Sequence, residues 1–182
     1  MKKLYNSELL SKLPEEINKA RADYKYQKKL TEKLDNYKEE FTETTLLEIV
    51  LWKTNRYPSI TPELLTAIND LRKVYSEEKA RNLLKILLHK EHKGFDLPMA
   101  STVLRFACPE HLQIIDQRVY RFITPDEERL KLPFNIDKKI NLYFIYIKNL
   151  KAVCEKYGID FKESDRILYQ LDKIHNKDFP IH

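Results

Sequence analysis

Hydrophobic residues recur at the three- and four-residue spacing of α-helices along nearly the whole chain. From Glu15 to about Leu34 the apolar stripe is sparse among charged residues, which predicts an outer helix. Thr42 is expected to cap a strongly apolar segment, Leu46 to Trp52, whose hydrophobicity on all sides predicts burial in the core. No segment has the pattern of a convincing strand. The sequence therefore predicts an all-α fold of roughly eight to ten helices.

Capping residues predict where the later helices begin and end. Thr61 followed by Pro62 is a typical N-terminus, as is Ser76 followed by glutamates. Gly94 is expected to end the helix that begins after Ser76, and Gly158 fits the left-handed position after a helix. The remaining helices are expected over Leu97 to Cys108, Asp116 to about Ile123, Asp137 to about Tyr157, and Glu163 to about Ile174.

Composition narrows the class of protein. The 182 residues include only 2 glycines. Because Rossmann turns, P-loops and tight hairpins all need glycine, this count argues against nucleotide-binding α/β folds and sheet-rich folds. The net charge of +5 permits a polyanionic partner. Cys108 and Cys154 are too few for a zinc or iron–sulfur site, and no apolar run reaches the roughly 18 residues of a membrane span. We therefore expect a cytoplasmic protein with reduced cysteines, no metal, no cofactor and no membrane partner.

The segment from Gly94 to Arg121 contains two motifs at a fixed separation. A glycine-containing connection leads into a helix with the small residues Ala100 and Ser101, and Ile-Asp-Gln-Arg-Val-Tyr-Arg follows with Asp116 at its second position. This arrangement resembles the helix-hairpin-helix DNA glycosylase superfamily, which contains endonuclease III and the adenine glycosylases. If Ala100 is matched to the family's helix alanine, Asp116 falls on the catalytic aspartate without a gap. Val119 and Arg121 fall on their counterparts, and the resemblance covers about residues 46–123.

The resemblance implies a monofunctional glycosylase in a two-lobed all-α domain that carries a helix-hairpin-helix element. That domain would span residues 1–182, with one lobe at 42–123 and the other formed by 1–41 and 124–182. Its reaction would be hydrolysis of the N-glycosidic bond of a damaged or modified base in double-stranded DNA, in association with the nucleoid. Pro98 stands where bifunctional members carry their Schiff-base lysine, and the C-terminal cysteine quartet is missing. Neither lyase activity nor an iron–sulfur cluster is therefore implied.

The resemblance also assigns roles to residues. Asp116 would stabilise the positive charge that develops on the deoxyribose. The expected DNA contacts are Gly94 with Lys93 in the hairpin, Arg118, Lys53 and Arg56, and the expected base-pocket residues are Trp52 and Tyr120. Asp96 stands at the family's second hairpin glycine, where its carboxylate is expected to cap the next helix and to repel phosphate.

Each of these residues also has a purely structural interpretation. Asp116 can serve as a helix N-cap, and Trp52 in its leucine-rich segment can belong to the core. The basic excess between Lys79 and Arg121 is also typical of a solvated helix face. Three histidines lack the carboxylate–histidine spacing of a metal site, namely His89, His92 and His111. The alternative functions are a non-catalytic DNA-binding protein of the same fold and a helical protein-interaction module.

Overall fold

A computed structural model of the chain describes residues 27–54, 58, 60–92, 94–124 and 129–178. Within these residues there are eight α-helices and no strand, which confirms the all-α fold. The helices are α1 (Lys28–Asp35), α2 (Glu43–Lys53), α3 (Pro62–Lys73), α4 (Glu77–Leu87), α5 (Leu97–Ala107), α6 (Gln117–Ile123), α7 (Ile136–Tyr157) and α8 (Ser164–His175). A short 3-10 helix, Phe161–Glu163, precedes α8. The predicted outer helix from Glu15 lies outside the described residues except for its last part, α1.

Four of the predicted capping residues begin or end helices as expected. Thr42, Thr61 and Ser76 each accept a hydrogen bond from the backbone N–H three residues later. Gly158 ends α7 in the left-handed conformation, with φ of 66°. Local chemistry therefore determines these four helix boundaries.

The chain divides into two compact units, of which Met1–Tyr57 is the first. Its described part consists of α1 and α2, joined by an ion pair of 2.6 Å between Lys33 and Glu48. The prediction that the apolar segment of α2 is buried is wrong, because Leu46, Leu47 and Val50 are 55%, 56% and 57% exposed. Within the described part of this unit α1 is the one neighbouring helix, and a single neighbour can cover only one side of α2.

The second unit, Pro58–His182, has a hydrophobic core built by α3 to α8. Helix α4 packs against α3, α5 and α7, and α6 packs against α7 and α8. The expected inner face of α4 is buried at Ala80, Leu83, Leu84 and Leu87. Helix α7 contributes seven buried side chains, namely Ile140, Tyr143, Phe144, Tyr146, Ile147, Leu150 and Cys154.

The connection between α4 and α5 corrects one predicted boundary. Helix α4 ends at Leu87, well before Gly94, and the N–H of His89 bonds to the carbonyl of Ile86 three residues back in a tightened last turn. Gly94 has a φ of 94°, and a Cβ there would lie 2.9 Å from Cα of Pro58. Glycine is therefore required by the turn and by its close approach to Pro58.

The composition led to expectations about the cysteines and about membrane-spanning segments. Cys108 and Cys154 are both free and buried. No helix among the described residues has the length and apolar character needed to cross a membrane.

Candidate functional site

Asp116 lies directly before α6 and caps it. Its Oδ1 accepts a hydrogen bond of 2.7 Å from the backbone N–H of Arg118, and the residue is half-buried. Among the described residues no hydrogen-bond donor contacts its second oxygen, Oδ2. The capping interpretation is confirmed, and the capping hydrogen bond uses one of the two carboxylate oxygens.

Two tyrosines of α7 hold the backbone that leads to Asp116. The hydroxyl of Tyr143 donates to the carbonyl of Gln113 at 2.9 Å, and that of Tyr146 donates to the carbonyl of Ile114 at 2.8 Å. Burial raises the pKa of both tyrosines well above the ordinary value, so both remain protonated donors at neutral pH. The approach to Asp116 is thus anchored to the longest helix of the unit.

Ser101 on α5 holds the same backbone from another side. It is fully buried, and its hydroxyl donates to the carbonyl of Pro98 while accepting from the N–H of Ile115 at 3.1 Å. Ala100 beside it is also fully buried. The small residues of the α5 motif therefore allow close packing and fix the residue that precedes Asp116.

A buried ion-pair network joins α6, the helix that Asp116 caps, to α8. The carboxylate of Asp172 on α8 is fully buried. It accepts hydrogen bonds from Arg121 at 2.7 and 3.0 Å, from Arg118 at 3.1 Å and from the amide of Asn176 at 2.8 Å. Burial alone would raise the pKa of Asp172, but these donors outweigh it and hold the pKa below the ordinary value.

A second buried pair fixes the start of α8. Nε of Arg105 lies 3.8 Å from Oδ2 of Asp165, and both residues are 8% exposed. The same guanidinium donates to the carbonyl of Lys162 in the 3-10 helix at 3.0 Å. Both acidic residues of α8 therefore point inward, toward arginines of α5 and α6.

Two aromatic residues lie on α6 and α8, one near Asp116 in the chain and the other against Arg118. Tyr120 follows Asp116 by four residues, is half-buried and stacks on Tyr146 with ring centroids 6.3 Å apart. Tyr169 on α8 is 40% exposed, and the guanidinium carbon of Arg118 lies 5.7 Å from its ring centroid. Tyr169 is thus the more accessible of the two rings.

The side chain of Asp96 occupies the N-terminal end of α5. Asp96 caps α5, accepting from the N–H of Leu97 at 2.8 Å and from Nζ of Lys139 at 2.5 Å. Its partial burial favours a higher pKa, but the hydrogen bonds from Lys139 and Leu97 prevail and lower the pKa. The expected capping role of Asp96 is confirmed, and it uses backbone N–H capacity that a phosphate would need.

The structure brings some of the predicted site residues together and leaves others apart. Arg118 and Tyr120 lie on α6, Asp116 caps the start of that helix, and Gly94 lies in the α4–α5 connection. Trp52 and Lys53 belong to the first unit. There the Trp52 indole is half-buried and donates to the hydroxyl of Thr31, while Lys53 is exposed. Arg56 and Lys93 lie outside the described residues.

Sequence reasoning missed Asp172, Asn176 and Tyr169. One readable signal was the position of Asp172, four residues after the buried Leu168 on an amphipathic helix. A carboxylate on an apolar face implies a buried cationic partner. Arg121, at the end of the Asp116 motif, is such a cation.

Among the described residues, Asp116 belongs neither to a metal-ligating cluster nor to the lining of two grooves. No group of three metal-ligating side chains occurs among the described residues. Two mainly apolar grooves, of about 640 and about 330 Å³, lie between α6, α7 and α8 and between α3 and α5. Asp116 lines neither groove.

Comparison of the chain with protein families, with curated proteins and with solved structures gave no match in any of the three.

Proposed function

We propose that this protein is a monofunctional DNA N-glycosylase whose catalytic group is the carboxylate of Asp116. One observation carries the proposal. Asp116 is half-buried on a rigidly held backbone, with Oδ1 bonded to the N–H of Arg118 and Oδ2 without a hydrogen bond from the described residues. The register of Ala100, Asp116, Val119 and Arg121 supports the same function.

Such an arrangement suits the chemistry of base removal. The bond between C1′ and the base nitrogen breaks, the oxygen of a water molecule bonds to C1′, and a water proton is transferred to the leaving base. Positive charge develops on the deoxyribose, and a fixed carboxylate beneath the sugar stabilises that charge. The hydrogen bonds from Tyr143, Tyr146 and Ser101 to the preceding backbone keep the carboxylate in place, so little reorganisation is needed.

A second candidate function is binding of duplex DNA without catalysis. Two observations favour it: Asp116 lines neither the groove between α6, α7 and α8 nor the groove between α3 and α5, and Asp96 occupies the start of α5. An enzyme must turn the target base out of the stack into a pocket. A protein that only binds the DNA backbone needs no such pocket.

A substrate screen separates the two functions. Duplex oligonucleotides that each carry one damaged or modified base are incubated with the protein and then treated with hot alkali, which breaks the strand at abasic sites. Strand breaks that depend on both protein and alkali support the glycosylase. Duplex binding without base release favours the second candidate, and failure of both contradicts both proposals.

The affinity for DNA is expected to fall steeply with salt. Several contacts between basic side chains and phosphates imply a slope of several on a plot of log affinity against log salt concentration. Fluorescence anisotropy with a labelled duplex at a series of salt concentrations measures the slope. An affinity that is unchanged between low and physiological salt would show that phosphates are not the main contacts.

Replacing Asp96 by glycine is expected to tighten DNA binding by up to about tenfold. The variant frees the N–H of Leu97 and the ammonium of Lys139 and removes a negative charge, while a glycine N-cap costs only a few tenths of a kcal/mol. Asp96→Asn is the control, because it keeps a capping oxygen and loses the charge. Equal affinities of wild type and a folded Asp96→Gly variant would show that this loop does not contact DNA.

A further inference from the structure

Helix α8 carries its basic side chains on the surface and its acidic ones inside. Within Ser164–His175 the acidic residues are Asp165 and Asp172, and the lysine and arginine residues are Arg166 and Lys173, so these charges cancel in the sequence. Both carboxylates are buried against arginines of α5 and α6, whereas Arg166 and Lys173 are exposed. The exposed face of a formally neutral helix is therefore cationic.

The exposed residues form a regular row. Arg166, Tyr169 and Lys173 follow at i, i+3 and i+7, which places them on one face of the helix. Seven residues of α-helix rise about 10 Å. Along the axis of a duplex one strand advances 3.4 Å per nucleotide, so a row parallel to that axis spans about three nucleotide steps.

Tyr169 links this row to Asp116. Its ring lies 5.8 Å from Nζ of Lys173 and 5.7 Å from the guanidinium carbon of Arg118, close enough for both cations to be attracted to the ring. Arg118 in turn donates its backbone N–H to Asp116. Through Arg118, the central residue of the row and the candidate catalytic carboxylate are therefore connected at the junction of α6 and α8.

We infer that the outer face of α8, formed by Arg166, Tyr169 and Lys173, binds the sugar–phosphate backbone of duplex DNA beside Asp116. This inference rests on the proposed function and adds the surface that holds the DNA. Arg166 and Lys173 neutralise phosphates, and the Tyr169 hydroxyl donates a hydrogen bond to a phosphate oxygen. Because these contacts reach only the backbone, they position the duplex and carry no sequence preference.

The test compares two double variants that each remove two positive charges. Arg166→Gln with Lys173→Gln removes the charges of the α8 row, and Lys138→Gln with Lys148→Gln removes two exposed lysines of α7. Affinity for a fluorescein-labelled 20-base-pair duplex is measured by anisotropy over a range of salt concentrations. The α8 variant is expected to lower the salt slope by about two, because each lost phosphate contact removes about 0.9. The α7 variant should keep a slope close to that of the wild type.

Tyr169→Phe tests the hydroxyl separately. The ring stays between its two cations while the phosphate donor is lost, so affinity should fall by several-fold with an unchanged salt slope. Thermal melting of every variant confirms the fold, and the replaced side chains are exposed, so little change in melting is expected.

The outcomes distinguish this inference from the proposed function. If the wild-type protein does not bind the duplex even at low salt, both are overturned. If it binds and the α8 double variant keeps the wild-type slope, the surface is wrong and the proposed function stands. If it binds phosphatidylserine vesicles but not the duplex, the row serves a membrane surface and the DNA assignment is overturned.

Discussion

Replacing Asp172 by asparagine is expected to lower the free energy of unfolding by about 3–5 kcal/mol, because it removes the buried negative charge that pairs with the guanidiniums of Arg118 and Arg121. The carboxylate of Asp172 has no exposed surface and accepts hydrogen bonds from Arg118, Arg121 and Asn176. Asparagine has nearly the same shape, so the loss measures charge and hydrogen bonding and not packing. Urea denaturation followed by circular dichroism gives the free energy of unfolding.

Asp70→Asn is the matched control for this substitution. Asp70 makes a surface ion pair of 4.0 Å with Lys73, and both side chains are largely exposed. Such pairs contribute at most about 1 kcal/mol. If Asp172→Asn costs no more than Asp70→Asn, the network does not hold α6 against α8.

The carboxylate of Asp172 also makes the free energy of unfolding depend on pH in the acidic range. The pKa of Asp172 is lower in the folded chain than in the unfolded chain, because the donors from the arginines and Asn176 outweigh the effect of burial. Its contribution to stability is therefore complete above the unfolded pKa of about 4 and is lost as the pH falls through the lower folded value. Unfolding measured between about pH 5 and about pH 2 should show a shallower loss of stability for Asp172→Asn than for the wild type. Equal slopes would contradict a perturbed carboxyl at this position.

Local sequence signals were sufficient for most helices of the second unit. Thr61, Ser76 and Gly158 lie at the helix ends that they predicted, because a capping side chain or a left-handed glycine acts within a few residues. The buried face of α4 also follows from its leucine spacing. These features depend on neighbours in the chain and need no knowledge of the tertiary structure.

The failures depend on tertiary partners. The hydrophobicity of α2 predicted burial, but burial also requires a neighbouring surface, and Leu46, Leu47 and Val50 are more than half exposed. Gly94 is a plausible helix terminator by composition, whereas α4 already ends at Leu87 and the glycine serves the turn against Pro58. A local pattern specifies what a segment can do, and long-range packing decides which option is used.

The candidate site shows the same division. The capping role of Asp116 follows from its position before α6, and its register with Ala100 follows from motif spacing. Its support by Tyr143 and Tyr146 joins residues about thirty positions apart. The pairing of Arg121 with Asp172 spans fifty-one positions. No local pattern specifies such pairs. The net charge of α8 also gives no sign that its carboxylates are buried.

Asp116→Asn is expected to slow base release by about a hundred- to a thousandfold, which corresponds to about 3–4 kcal/mol of lost transition-state stabilisation. Asparagine can still accept the N–H of Arg118 and cap α6, but it has no negative charge to place beneath the sugar cation. DNA affinity should be retained or rise slightly, because a charge of the same sign as phosphate is removed. Single-turnover base release on the substrate found by the screen measures the effect. Sodium borohydride should trap no covalent adduct, since Pro98 offers no amine.

Asp160→Asn controls for the loss of a capping charge away from α6. Asp160 also accepts a hydrogen bond from the N–H two residues later, at 3.0 Å, but it does so at the 3-10 helix before α8. The glycosylase proposal requires that Asp160→Asn release base at close to the wild-type rate while Asp116→Asn does not. A well-folded Asp116→Asn protein with the wild-type rate would remove Asp116 from the mechanism. An Asp116→Asn protein that is unfolded by thermal melting, beside a stable Asp160→Asn protein, would assign Asp116 a structural role instead.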